Sequence, residues 1–351
     1  MKILIIQQKM IGDVLTTSIL FEALRLEFPQ AQLDYLINEH TYPVVDQNPF
    51  IDNFIFFTKA EEQSKRALFR LAKTIKQTQY DAVIDVYSKF SSNFITALSG
   101  AKLKISKYKW YTSFIYSHTF KESKIPKTIA GLAIENRLEL LKPILNKTPE
   151  IIQPKIYLTS EELKNSKHYL EQNNINLSQP LYMISVLGSG LNKTYPFDYM
   201  ATLIDDVVAT TNAQILFNYI PNQIKDAQAI YNLCKPETQK HIKFDVFGKS
   251  LREFMAITKH CTALIGNEGG AVNMAKALNV STFTIFSPWI VKAAWNMFED
   301  GKQHVSIHLN DVKPELYIDK KRKEIKASYR IYYEAFTPDL ISNKLKAFLK
   351  N

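Results

Sequence analysis

Glycine is scarce, at 10 of 351 residues, under half its usual share of about 7%. A glycine, and above all a glycine pair, therefore marks a place where a side chain would obstruct the backbone or a ligand. Cysteine is scarcer still. Cys234 and Cys261 lack CxxC spacing and are too few for a disulfide framework, which argues against a small secreted scaffold or a zinc site and for a reducing cytoplasm. No stretch approaches about 18 consecutive apolar residues, so no membrane-spanning helix is expected. The run Ile3-Leu4-Ile5-Ile6 is too short for the core of a signal peptide. Neither a GxxxxGK[ST] phosphate loop nor a GxGxxG dinucleotide fingerprint is present. Acids are fewer than bases, 34 against 44, and the net charge of +10 favours an anionic partner.

What is present is a globular composition, with 46% hydrophobic and 22% charged residues, long enough for two domains. Short apolar runs alternate with stretches of helical spacing. Residues 2–6, 33–37, 54–57 and 82–86 read as strands, with helices over 14–26 and 61–77 between them. Asn146–Ser160, with Pro149 and Pro154, reads as a linker, after which the pattern restarts. Strands are expected at 181–186, 213–217, 263–266 and 282–286, and helices at 199–209, 224–233 and through Leu278. Ser250 and Glu253 have capping-box spacing. The expectation is an α/β chain with parallel sheets, divided into 1–150, 151–336 and a final amphipathic helix over 337–351 that packs back on the first domain.

In open parallel sheets ligands lie beyond the carboxyl ends of the strands, and three loops there hold the candidate chemistry. In Ile11-Gly12-Asp13-Val14, Gly12 permits a tight turn and Asp13 sits near a helix start. Either it caps the helix or it acts as a general base. In Gly188-Ser189-Gly190-Leu191-Asn192-Lys193, small residues and a lysine suit a phosphate; the alternative is a plain turn with a surface lysine. In Gly266-Asn267-Glu268-Gly269-Gly270-Ala271-Val272-Asn273, adjacent glycines open a helix whose first N–H groups can meet a diphosphate. Glu268 either accepts hydroxyl hydrogen bonds or is only a first-turn acid.

Taken together, these loops resemble glycosyltransferase family 9, the ADP-heptose:lipopolysaccharide heptosyltransferases. Lys2–Thr17 (KILIIQQKMIGDVLTT) is similar to the family's opening, and Arg25–Ala31 and Asn48–Asp52 to its next conserved habits. Lys193-Thr194-Tyr195-Pro196 resembles its Lys-x-Trp-Pro motif with tyrosine in the tryptophan's place. Glu268–Asn273 is similar to its donor loop, and Ala275-Lys276-Ala277-Leu278 and Phe286-Ser287-Pro288 to the segments on the carboxyl side of that loop. Within the donor loop two positions depart from the pattern: Glu268 replaces an aspartate and Asn273 a histidine, so the nucleotide sugar need not be ADP-heptose itself.

The resemblance implies a GT-B architecture, two Rossmann-like domains facing across a cleft. It implies inverting transfer of a heptose-like sugar without a metal or other cofactor, from a nucleotide-sugar donor, ADP-heptose or related, to an anionic glycolipid acceptor. Asp13 would be the base. Ser189, Lys193, Glu268, Gly269, Gly270, Ala271 and Asn273 would meet the donor, with Asp226, in competition with Gln223, contacting its ribose. A non-catalytic nucleotide-sugar-binding protein and another sugar-nucleotide enzyme on the same fold remain the alternatives.

From Lys89 to Lys127 eight lysines face a single acid, Glu122, interleaved with eight aromatic residues. One reading is a solvated face. The other is peripheral contact with the inner face of the cytoplasmic membrane through Lys102, Lys104, Lys107 and Lys109. Nucleic acid is not expected as a partner, since none of its recognition motifs is present. His304 and His308 have helical spacing, but Val305-Ser306-Ile307 between them reads as strand, so no metal site is expected there.

Overall fold

The computed structural model describes residues 1–350, which form two compact units. One comprises Met1–Tyr157 with Ala293–Met297; the other comprises Leu158–Lys292 and the chain from Phe298 onward.

The first unit is built on six parallel strands: β1 (Lys2–Ile6), β2 (Gln32–Asn38), β3 (Asn53–Phe57), β4 (Ala82–Asp85), β5 (Leu103–Lys107) and β6 (His118–Phe120), in the order β3-β2-β1-β4-β5-β6. β1 lies at the centre because Ile3 to Ile6 have no exposed surface, as a strand covered by helices on both faces requires. Leu4, Ile6, Leu36 and Val83 pack with Leu68, Ala72 and Ile75 of the helix Lys65–Thr78 to form one side of its core. The order reverses direction between β1 and β4, the place where such sheets open a binding crevice at their carboxyl edge.

The second unit has five parallel strands: β7 (Leu181–Ser185), β8 (Gln214–Phe217), β9 (Ala263–Asn267), β10 (Ser281–Ile285) and β11 (His304–Ile307), in the order β11-β10-β9-β7-β8. Gly266 allows β9 to lie close against β7: its φ is 128°, and a Cβ there would come within 2.5 Å of the Ser185 carbonyl oxygen. The final helix, Asp339–Leu349, packs on the helix Phe197–Thr211, and Ile341, Leu345 and Phe348 belong to this unit's core. Its apolar stripe is filled from within this unit by residues such as Phe283, whose ring lies 5.7 Å from that of Phe348, so the helix expected as a separate final segment is part of the second unit.

Other local differences have simple causes. The first helix is divided at Ser18, whose hydroxyl bonds back to the Leu15 carbonyl. The 61–77 helix is divided at Ser64, which caps Lys65–Thr78 by accepting from the Ala67 amide. Ser250 caps Leu251–Lys259, but Glu253 takes the amide of Lys249 rather than completing the box. β5 and β6 lie within the lysine-rich stretch that sequence periodicity left unassigned.

Candidate functional site

Asp13 stands in the first turn of the helix Ile11–Thr17, just beyond the carboxyl end of β1. The left-handed residue that turns the chain into this helix is Met10, with φ 68°, not Gly12, which lies within the helix. Asp13 caps nothing. Its Oδ1 accepts from Arg137 Nη2 at 2.6 Å, and the same guanidinium donates from Nε to Thr17 Oγ1 at 2.9 Å and from Nη1 to the Ala133 carbonyl at 2.7 Å. Both charged side chains are largely but not fully covered. The carboxylate is thus held in one orientation by an arginine that is itself held at two further points.

In the second unit the loop after β7 is shaped by Gly188, where a Cβ would come within 2.2 Å of the Lys193 carbonyl oxygen. Thr194 Oγ1 accepts from the Gly188 amide at 3.0 Å and donates to the Gly190 carbonyl at 3.0 Å. The turn presents Lys193, whose Nζ lies 3.0 Å from Glu268 Oε1 in the loop after β9. Asn267 ties the two loops together, donating to the Ser185 and Val186 carbonyls and accepting from the Tyr195 amide. Beyond Glu268, no side chain caps the helix Gly270–Ala277, and no atom lies within 4 Å of a Cβ built on Gly269 or Gly270. An uncapped helix start with open space above two glycines is a natural anion seat.

The structure therefore brings Lys193, Glu268 and the Gly269–Ala271 backbone together. Ser189 is exposed on the same loop as Lys193, and Asn273 is half-buried one turn into the helix. Asp226 is exposed with no contact to this group, whereas Gln223 donates to the Gly188 carbonyl at 2.9 Å, so of the two competing residues Gln223 is the one joined to the loop. Tyr195 is fully buried and donates to the Phe336 carbonyl, which makes it a core residue.

Comparison with known proteins gives this geometry its context. The chain matches the model of glycosyltransferase family 9 (heptosyltransferase) over residues 68–322. The chain belongs to glycosyltransferase family 9. Among family relatives, lipopolysaccharide heptosyltransferase 3 of Escherichia coli is 23% identical over 280 residues, covering 78% of this chain and 80% of its own. Among solved structures, the family 9 glycosyl transferase of Veillonella parvula superposes with a TM-score of 0.76 at 15% identity, covering 97% of both chains. The E. coli ADP-heptose lps heptosyltransferase II does so with a TM-score of 0.72 at 16% identity, covering 99% of this chain and 98% of that one. The fold is GT-B, and the protein is a glycosyltransferase.

For this family 9 chain, several residues around the candidate site carried no sequence signal. Arg137 lies 124 positions from Asp13. Trp289, in the loop after β10, donates from its indole N–H to the Asn192 carbonyl, and three cations gather on its ring. Lys326 Nζ lies 4.5 Å from the ring centre, Arg322 Cζ 5.1 Å and Lys193 Nζ 5.6 Å. The ring's negative face holds these cations against their mutual repulsion. Arg322 and Lys326 would have been found only by knowing that the segment after β11 returns to Trp289.

Of the four lysines expected on an acceptor or membrane face, three are engaged within the first unit. Lys104 donates to the Ala97 carbonyl, Lys107 pairs with Glu122 at 3.7 Å, and Lys109 donates to the Ser88 carbonyl; Lys102 is exposed. Among the described residues no group of three or more His, Cys, Asp or Glu side chains is arranged to hold a metal. His304 pairs with Thr282 Oγ1, and His308 accepts from the Asn310 amide at the next helix start. No described helix is long and apolar enough to cross a membrane.

Proposed function

We propose that this glycosyltransferase moves a heptose-like sugar from a nucleoside-diphosphate donor, ADP-heptose or a close relative, to an anionic lipopolysaccharide-type acceptor, with inversion at the anomeric carbon and without a metal. The observation that carries the reading is the cluster of Lys193, Glu268 and the open start of Gly270–Ala277. A nucleoside diphosphate is a poor leaving group unless the charge it gains is met as it departs. Lys193, with Arg322 and Lys326 beside it, and the N–H groups of Gly269, Gly270 and Ala271 supply that positive potential. Glu268 gives Lys193 a counterion when the seat is empty and a hydroxyl acceptor when a sugar nucleotide is bound.

In this reading an acceptor hydroxyl attacks the anomeric carbon from the face opposite the diphosphate. The new C–O bond forms as the bond to the β-phosphate oxygen breaks, and that oxygen keeps the electron pair. The hydroxyl proton passes to the Asp13 carboxylate. Arg137 keeps that carboxylate aimed. A single displacement of this kind inverts configuration. The test is to supply ADP-heptose and a lipopolysaccharide-type acceptor in the presence of a chelator and to read the product's anomeric configuration by NMR. The expected product is inverted and forms at an undiminished rate. Retention of configuration, or activity only with added divalent cation, would overturn the reading.

A further inference from the structure

The segment joining β5 to β6 and the turn after β4 expose more apolar surface than a water-facing rim tolerates. Trp110 is 79% exposed, Phe114 84% and Phe90 75%, with Tyr108, Tyr111, Ile125 and Ile129 also exposed nearby in sequence. Single exposed apolar residues need no explanation, but a cluster of aromatic tips does.

The segment is not loose chain. The Thr112 and Ser113 amides donate to the Lys109 carbonyl, the Ile115 amide to Thr112 and the Tyr116 amide to Ser113. Tyr116 anchors its end from below, with its hydroxyl 2.6 Å from Asp85 Oδ2 and from Asn93 Oδ1. Lys109 donates to the Ser88 carbonyl, tying the loop to the turn that carries Phe90, and the turn Ser113–Ile115 packs on the helix Phe90–Leu98. A braced loop therefore points Trp110 and Phe114 outward on the same rim as Phe90. Because all six strands run parallel, this rim lies at the carboxyl edge of the sheet, the edge on which Asp13 follows β1.

We infer that this rim inserts into an anionic lipid bilayer, with Trp110, Phe114 and Phe90 entering the interfacial layer. The exposed Lys89, Lys121, Lys124 and Lys127, which follow β4 and β6 at the same edge, then lie among the headgroups, whereas Lys102 precedes β5 at the opposite edge. Charge selects this occupant: the stretch from Lys89 to Lys127 holds eight lysines and one acid, and that acid, Glu122, is paired with Lys107. Tryptophan with lysine is the pairing that suits the bilayer interface, where rings sit at headgroup depth and ammonium groups meet lipid phosphate. The inserting groups are thus the aromatic tips rather than Lys104, Lys107 and Lys109. The inference rests on the proposed function for its purpose, which is to bring Asp13's edge to an acceptor anchored in the membrane, but not for the binding itself.

The test uses full-length protein and vesicles of phosphatidylethanolamine with phosphatidylglycerol, free of acceptor, with phosphatidylcholine vesicles as control. Wild type is expected to co-sediment with the anionic vesicles, and its Trp110 fluorescence, isolated by subtracting a Trp110→Phe variant, to be quenched by brominated lipid. The double variant Trp110→Ser/Phe114→Ser, whose side chains are exposed, should keep its melting temperature and lose at least about tenfold in vesicle affinity. It should also keep wild-type transfer to a water-soluble delipidated acceptor and lose transfer to the vesicle-borne one. Wild type that ignores anionic vesicles, or a double variant that binds them as wild type does, overturns the inference. Insertion without transfer to either acceptor upholds the membrane rim and counts against the proposed function instead.

Discussion

The two units begin alike, with a buried strand, a loop and a helix, yet their first loops present opposite chemistry. After β1 the chain offers a carboxylate, Asp13, fixed by Arg137. After β7 it offers a lysine, Lys193, beside two further cations on Trp289 and an uncapped helix start. A held carboxylate suits a neutral hydroxyl that must lose a proton, and a cationic seat suits a group that leaves with negative charge. The fold supplies the same edge twice; in the function proposed above, the side chains placed on it divide the labour.

The sharpest way to break this comparison is to remove one side's charge and watch the other's function. Asp13→Asn should lower turnover by roughly 10²- to 10⁴-fold, the usual weight of a general base, while nucleoside-diphosphate affinity measured by calorimetry stays at the wild-type value. An equal loss in both would merge the two roles.

Acidity should also set the units against each other. Burial pushes the Asp85 carboxyl of the first unit up to about 6, against the pull of hydrogen bonds from Tyr116 and Ser88. Burial pushes the His304 imidazole of the second unit down to about 4, and the charge of Lys276 adds to it. Between about pH 4 and 6 the folded first unit holds a proton that the unfolded chain has released, so this term of its stability falls as pH rises. Between about pH 6.5 and 4 the unfolded second unit gains a proton that the folded one refuses, so this term falls as pH drops. Each term is worth about 3 kcal/mol across its window. Hydrogen exchange read separately in the two units, with Asp85→Asn and His304→Gln flattening one slope each, checks the opposition; parallel slopes for the two variants would contradict it.

Lys193→Ala should weaken nucleoside-diphosphate binding by about 2 kcal/mol, the scale of a charge-assisted hydrogen bond, without moving the acceptor's KM. Arg322→Ala or Lys326→Ala should cost about 1 kcal/mol each, since both are exposed and more screened. Affinities unmoved by all three would place the anion seat elsewhere.

Much of this plan is readable along the chain, and the rest is hidden for physical causes. Strands β1, β4, β7, β8 and β9 are short, mostly apolar runs, the signature of strands covered on both faces, while β2 and β10 are read in spite of Asp34 and of Thr282 and Thr284. β5, Leu103-Lys104-Ile105-Ser106-Lys107, hides because lysines interrupt its apolar run, and β6 because three residues on a sheet edge carry no period. Asp13 and Lys193 announce themselves by position after a strand. Arg137, Arg322 and Lys326 do not, since their meaning comes from contacts made across long stretches of sequence. Asp226 stands out by its charge, whereas the neutral Gln223 reaches the loop. Gly12 stands out by its rarity, whereas Met10 takes the left-handed turn.

The division of labour is tested most directly by measuring, in one Asp13→Asn preparation, both the affinity for ADP and the rate of sugar transfer at saturating donor. The expected result is wild-type affinity with transfer reduced at least about a hundredfold. Transfer near the wild-type rate would show that Asp13 takes no proton in the reaction and would contradict the assignment of the two loops.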